Sequence, residues 1–213
     1  MNRLIALLQL TVAVAVVLTI TVQANAALII DPATTTVLAE INETANQDAS
    51  DIQTLLEGEP YNIAFGDAVL ESCYKQNVGD TEDSGSFADD YMTTFKDTAS
   101  EPTAADIEYQ DTGNFISADF VYLVVKDGNN GDPPQYVFDL NALGWNGTET
   151  LQLQNFWAGE GVQGSISHVE IFCADDGGPG PQEIPEPASL AAWGLLSLVG
   201  VGGVLRRRRA KKS

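Results

Sequence analysis

The chemistry open to this chain is bounded first by its single histidine, His168. A Ser–His–carboxylate relay would need Ser165 or Ser167 as nucleophile. Neighbours on one strand point to opposite faces or sit too close to serve one another. No Gly-x-Ser-x-Gly elbow is present, and a zinc site of His and Cys lacks ligands. His168 therefore reads as a surface or cross-strand hydrogen-bonding residue, on the strand face opposite Val169 and Ile171. Thirty Asp and Glu side chains could in principle supply a glycosidase pair, but no spacing singles out two of them. The body reads as non-enzymatic.

Two loops gather oxygen ligands of the kind calcium takes. One is Asp127-Gly128-Asn129-Asn130-Gly131-Asp132, with Asp127, Asn129 and Asp132 as candidate ligands. The other is Asp80-Thr81-Glu82-Asp83-Ser84. Neither matches an EF-hand, and each has a plainer reading, as a hairpin turn and a solvated acidic loop. Trp145, Trp157, Tyr91 and Tyr109 could stack on sugar rings if exposed, though such residues more often belong to a core. Asn42-Glu43-Thr44 and Asn146-Gly147-Thr148 match the N-glycosylation pattern, with no consequence assigned to either.

The elements that would position these residues are mostly short strands. Ile52, Leu55 and Leu56 recur at helical spacing, with Ser50 or Asp51 as N-cap and Gly58 as stop, giving one short helix over 51–57. Residues 37–41 fit helix or strand equally. From Tyr61 onward, strands alternate with turn signals: 68–76 carrying Cys73, then 91–95, 107–110, 120–126, 136–140, 151–154 and 166–173. The run FVYLVVK is apolar on both faces and so predicts a central strand, with 136–140 as its partner. Val169, Ile171 and Cys173 share one face. Strands of this number and spacing imply an all-β fold, a single jelly-roll-like β-sandwich over 27–173.

The two ends of the chain differ in kind from this body. Behind Arg3, residues 4–20 are apolar except for Gln9, Thr11 and Thr19. Ala24-Asn25-Ala26 then offers a small-x-small cleavage site, so 1–26 reads as a signal peptide. Residues 174–183 (ADDGGPGPQE) read as a Gly/Pro spacer. Residues 188–205 form an uncharged run of 18. As a helix it would reach roughly 27 Å, enough for a bilayer core. Arg206, Arg207, Arg208 and Arg209 follow, within a basic tail over 206–212 that would hold that end on the cytoplasmic side. Export would place Cys73 and Cys173 in an oxidising compartment. A bridge between them would close a loop of about 100 residues, worth up to ~4.7 kcal/mol in the chain-entropy account.

Ahead of the apolar run lies Pro185-Glu186-Pro187, kept extended by its two prolines. Pro-Glu-Pro, an apolar helix and an arginine cluster over 184–213, together with the signal peptide, resemble the PEP-CTERM sorting signal of bacterial envelope proteins. Ile184 stands where that family usually has valine. The resemblance implies recognition by exosortase, a membrane transpeptidase that would cut near the motif. VKDGNN, YVFDLN and SISHVEIF also look like β-sandwich domains found attached to this tail, a likeness that brings no activity with it.

Once the targeting segments are set aside, three lysines (Lys75, Lys96, Lys126) face all thirty acidic residues, a body charge of about −27. That excess argues against nucleic acid and anionic membrane surfaces as partners. The expectation is an exported surface or matrix protein with a structural or adhesive role, embedded in exopolysaccharide. The rival is a carbohydrate- or calcium-binding module. No other cofactor is implied.

Overall fold

The computed structural model describes residues 27–128, 131–158 and 164–175. The signal peptide, the residues beyond Asp175 (most of the spacer, Pro185, Glu186, Pro187, the apolar run and the arginine cluster) and Asn129 lie outside the described residues.

Nine strands and one helix make up the described body. In chain order they are β1 (Leu28–Ile30), β2 (Ala39–Ile41), α1 (Ala49–Glu57), β3 (Glu71–Asn77), β4 (Tyr91–Lys96), β5 (Ala104–Tyr109), β6 (Phe120–Asp127), β7 (Gln135–Asp139), β8 (Leu151–Leu153) and β9 (Ile166–Ala174). The strands form two sheets, ordered β1-β8-β5-β4 and β2-β7-β6-β9-β3. All pairings are antiparallel except β1 with β8. The expected all-β, sandwich-like fold is what the chain adopts.

One core lies between the sheets. Ile30, Tyr91, Ala105, Ile107, Leu151 and Leu153 from the four-stranded sheet meet Val121, Leu123, Val125, Phe138, Val169 and Ile171 from the five-stranded one. A second core lies on the other face of the five-stranded sheet. There Ile52 and Leu56 of α1, with Phe65, Ala68 and Leu70 from the segment after it, cover Tyr122, Val124, Val137 and Phe172. That second layer explains FVYLVVK. A strand buried on both faces loses the period-2 alternation of a half-exposed one, and β6 sits in the middle of the larger sheet. The four-stranded sheet keeps its alternation. Leu151 and Leu153 are buried while Gln152 between them is half-buried, and Met92 of β4 is exposed.

The helix begins earlier than its apolar spacing predicts. Asp48, not Ser50 or Asp51, is the N-cap. Its Oδ1 accepts from the N–H groups of Ser50 (2.9 Å) and Asp51 (3.0 Å), while Asp51 Oδ2 accepts from Asp48 N–H (3.0 Å). This is a capping box with Asp in place of Glu at its third position. Gly58 is the C-cap, as expected.

Cys73 and Cys173 are joined, with Cα atoms 5.9 Å apart and a sequence separation of 100. A bulge permits this. In β3 the register with β9 shifts between Ser72 and Tyr74, leaving Cys73 unpaired. Adjacent residues of a regular strand face opposite ways, yet Cys73 and Tyr74 both lie in the inter-sheet core. The segment after β3 then closes its open edge, with Ser84 bonded to Lys75 in both directions and Phe87 N–H bonded to Cys73 O (2.8 Å). Gly85 makes that approach possible: its φ is +107°, and a Cβ there would lie 2.5 Å from Cys73 O.

Candidate functional site

The predicted calcium loop lies at the end of β6, and the fold gives Asp127 a different task. Its side chain is buried. Oδ2 accepts the N–H of Gly131 (2.6 Å), and Oδ1 accepts the N–H of Ser165 (2.7 Å), where the chain enters β9. One carboxylate thus ties two loops to the sheet with charge-assisted bonds. Trp157 is packed into the same corner. Its Nε1 donates to Pro133 O (2.8 Å). A Cβ on Gly131 would fall 2.5 Å from that nitrogen, and one on Gly164 would fall 2.7 Å from Trp157 Cβ. Asp132 is exposed. Asp127 therefore serves as an anchor, with each carboxylate oxygen accepting a main-chain N–H.

The acidic loop 80–84 is likewise engaged locally. Asp80 Oδ2 accepts from Asn77 Nδ2 (2.7 Å), and Asp83 Oδ2 accepts from the Tyr74 hydroxyl (3.3 Å). Partial burial raises the Asp83 carboxyl above its usual range, against the lowering effect of that hydrogen bond. Among the described residues, the one cluster of metal-ligand types is Glu71, Cys73 and Cys173. Its sulfurs are bonded to each other, so it offers no thiolate.

The aromatic side chains considered for sugar stacking turn inward. Trp145 and Trp157 are 6% and 5% exposed, and Tyr91 is 2% exposed. Trp145 Nε1 donates to Glu149 O (2.7 Å). The Tyr91 hydroxyl donates to Gly147 O (2.7 Å) and accepts from Ile116 N–H (2.8 Å). Burial raises the Tyr91 pKa, as it does those of Tyr74 and Tyr122. Tyr109 is half-buried, with Phe115 packed edge-on at 6.1 Å.

The most concentrated polar chemistry lies where the sequence pointed to a surface or cross-strand hydrogen-bonding histidine. His168 is 3% exposed, a correction to that expectation. It sits on the helix-covered side of the five-stranded sheet, in register with Lys126 on β6 and Asn77 on β3. Beside it, Glu170 accepts from Ser72 Oγ at Oε1 (2.6 Å) and from Lys75 Nζ at Oε2 (2.6 Å). His168 Nε2 lies 3.9 Å from that same Oε2. Burial first, then the charges of Lys75 and Lys126, lower the His168 pKa to about 3. Glu170 alone would favour the imidazolium, but its charge is already matched by the nearer Lys75 ammonium. In a nucleophilic triad the imidazole stands between hydroxyl and carboxylate. Here the carboxylate stands between serine and imidazole and is neutralised by a lysine. The arrangement orders a sheet; it does not activate Ser72.

The chain matches no protein-family model, no curated protein and no solved structure. The described surface carries shallow depressions: one of about 340 Å³ lined by Glu101, Ser165 and Ser167, and one of about 380 Å³ between α1 and β2 lined by Glu40, Glu43 and Asp51. A third, of about 200 Å³, lies at Cys173. None of them is lined by His168. No helix among the described residues is long and apolar enough to cross a membrane. The buried His168–Glu170 group had one sequence signal, the adjacent polar residues in an otherwise apolar strand. Its partners Ser72 and Lys75 lie about a hundred residues away and were not legible.

Proposed function

We propose that the chain is an exported bacterial envelope protein whose body is a structural or adhesive β-sandwich, sorted through its Pro185-Glu186-Pro187 tail. An exosortase-type transpeptidase would read that tail, with the apolar run over 188–205 as a transient anchor and Arg206 to Arg209 as its cytoplasmic stop. The observation that carries the reading is the Cys73–Cys173 bridge. It fits an oxidising compartment, and it closes the last strand one residue before the predicted spacer begins. A pull on an anchored C-terminus would enter the domain at a covalent clamp.

The pairing of β1 with β8 in one sheet and β2 with β7 in the other supports a jelly-roll-like description. The parallel β1/β8 pair and the insertion of β9 between β6 and β3 depart from the simple form. Inward-facing tryptophans and an anchoring Asp127 favour the structural role over a sugar- or calcium-binding module.

Mass spectrometry of the protein from its native envelope tests the proposal. The expected mature chain starts at Ala27 and lacks everything from about Ala188. Mature material that retains Arg206 to Arg209 would overturn the processing step.

A further inference from the structure

The two Asn-x-Thr sites of the sequence prove physically unlike. Asn146 is locked in a turn. Its Oδ1 accepts from Thr148 N–H (2.9 Å), Thr148 Oγ1 (3.1 Å) and Glu149 N–H (3.0 Å). Gly147 between them is buried at φ +84°, its carbonyl held by the Tyr91 hydroxyl, and a side chain there would strike Ile116 O. The turn is thus committed on every side, and the threonine hydroxyl is already in use.

Asn42 is presented in the opposite way. It follows directly on β2, an edge strand of the five-stranded sheet. Residues 42–46 are all exposed. Neither Asn42 nor Thr44 makes a side-chain hydrogen bond among the described residues. What holds this segment is its main chain: the fully buried Gln135 donates from Nε2 to Glu43 O (2.8 Å) and Ala45 O (3.0 Å). The backbone is pinned while the acceptor amide and the threonine hydroxyl stay free. Glu40 lies two residues ahead and is exposed between buried Ala39 and Ile41. In an extended chain, residues two apart share a face. An enzyme that takes up 40–44 as a continuation of β2 would therefore meet Glu40, Asn42 and Thr44 together.

We propose that Asn42 is the acceptor of an N-linked glycan and that Asn146 is not. The donor is a lipid-pyrophosphate-linked oligosaccharide, delivered by a membrane-bound transferase. Asn42 Nδ2 attacks the anomeric carbon. The bond from that carbon to the pyrophosphate oxygen breaks, its electron pair leaves with the lipid pyrophosphate, and the amide proton passes to a base of the transferase. The inference rests on the export reading, because the transferase works on the outer side of the membrane.

Two experiments separate this inference from that reading. In the first, full-length protein in detergent is incubated with a bacterial oligosaccharyltransferase and its lipid-linked donor, and peptides are read by mass spectrometry. The expected result is one glycan mass, on the peptide containing Asn42. Asn42→Gln and Thr44→Ala abolish it, while Thr44→Ser and Asn146→Gln retain it. Modification of Asn146 with Asn42 untouched overturns the proposal. So does failure to modify Asn42 in the folded chain when an isolated 38–48 peptide is modified, or absence of glycan from both. In the second, protein is isolated from the native envelope. Material starting at Ala27 with bare Asn42 overturns the inference and leaves export standing. Material that retains residues 1–26 counts against export instead.

Discussion

Acidification offers the sharpest test of the buried His168–Glu170 group. In the folded protein the His168 pKa is lowered from 6.5 to about 3, by burial and then by Lys75 and Lys126. In the unfolded chain the imidazole returns to its ordinary value. Between these two values the unfolded state binds a proton that the native state refuses, so stability falls as pH falls, by about 1.4 kcal/mol per unit once well below 6.5. Integrated from pH 8 to pH 5, the loss is about 2 kcal/mol. The interval is chosen to stay above most carboxylate titration, because relief of repulsion within the acidic body acts in the opposite direction. His168→Gln keeps a polar side chain and removes the titration. Urea unfolding followed by Trp145 and Trp157 fluorescence should show wild type losing about 2 kcal/mol against the variant over that interval. Parallel pH profiles for the two proteins would refute the reasoning. An NMR titration of the His168 ring with a midpoint near 6.5 in the folded protein would do the same.

Replacing both Cys73 and Cys173 by Ser frees a loop of about 100 residues and should cost ~4 kcal/mol, read as a lower urea midpoint. A change under about 1 kcal/mol would show that the bridge constrains little. Asp127→Ala removes the acceptor of two main-chain N–H groups and should cost ~3 kcal/mol, with no dependence on calcium. If calcium raised the melting temperature of wild type and not of the variant, Asp127 would be a metal ligand as well as an anchor.

Much of the architecture was legible because local pattern and tertiary role agree. Leu151 and Leu153 alternate with Gln152 on a sheet with one wet face. Strand 120–126 is apolar on both sides because it ends up buried on both. Other features escaped for specific reasons. β1 has three residues and pairs with β8, over a hundred residues along the chain, so no local periodicity marks it. The N-cap was placed two or three residues late because apolar spacing marks the helix face and not its first turn. The Asp48-x-x-Asp51 pair was the available cue. His168 was read as a surface or cross-strand residue because alternation with apolar neighbours signals a face, and a polar face is water-exposed by default.

What the sequence by itself determined was the chain's composition by region: an acidic, strand-rich body, apolar segments at both ends, a Pro-Glu-Pro strip and a closing run of arginines. Those properties are additive along the chain and need no partner to be read. Only the tertiary structure decided which polar groups would be sealed away and which left in water. Both faces of the larger sheet carry buried residues, and on the face away from the smaller sheet His168 is sealed from water and Gln135 clamps the Asn42 loop. The bulge at Cys73 turns two consecutive side chains inward and brings the sulfurs together. Burial is a property of what packs on top, and contacts between residues a hundred positions apart leave no mark in either local stretch.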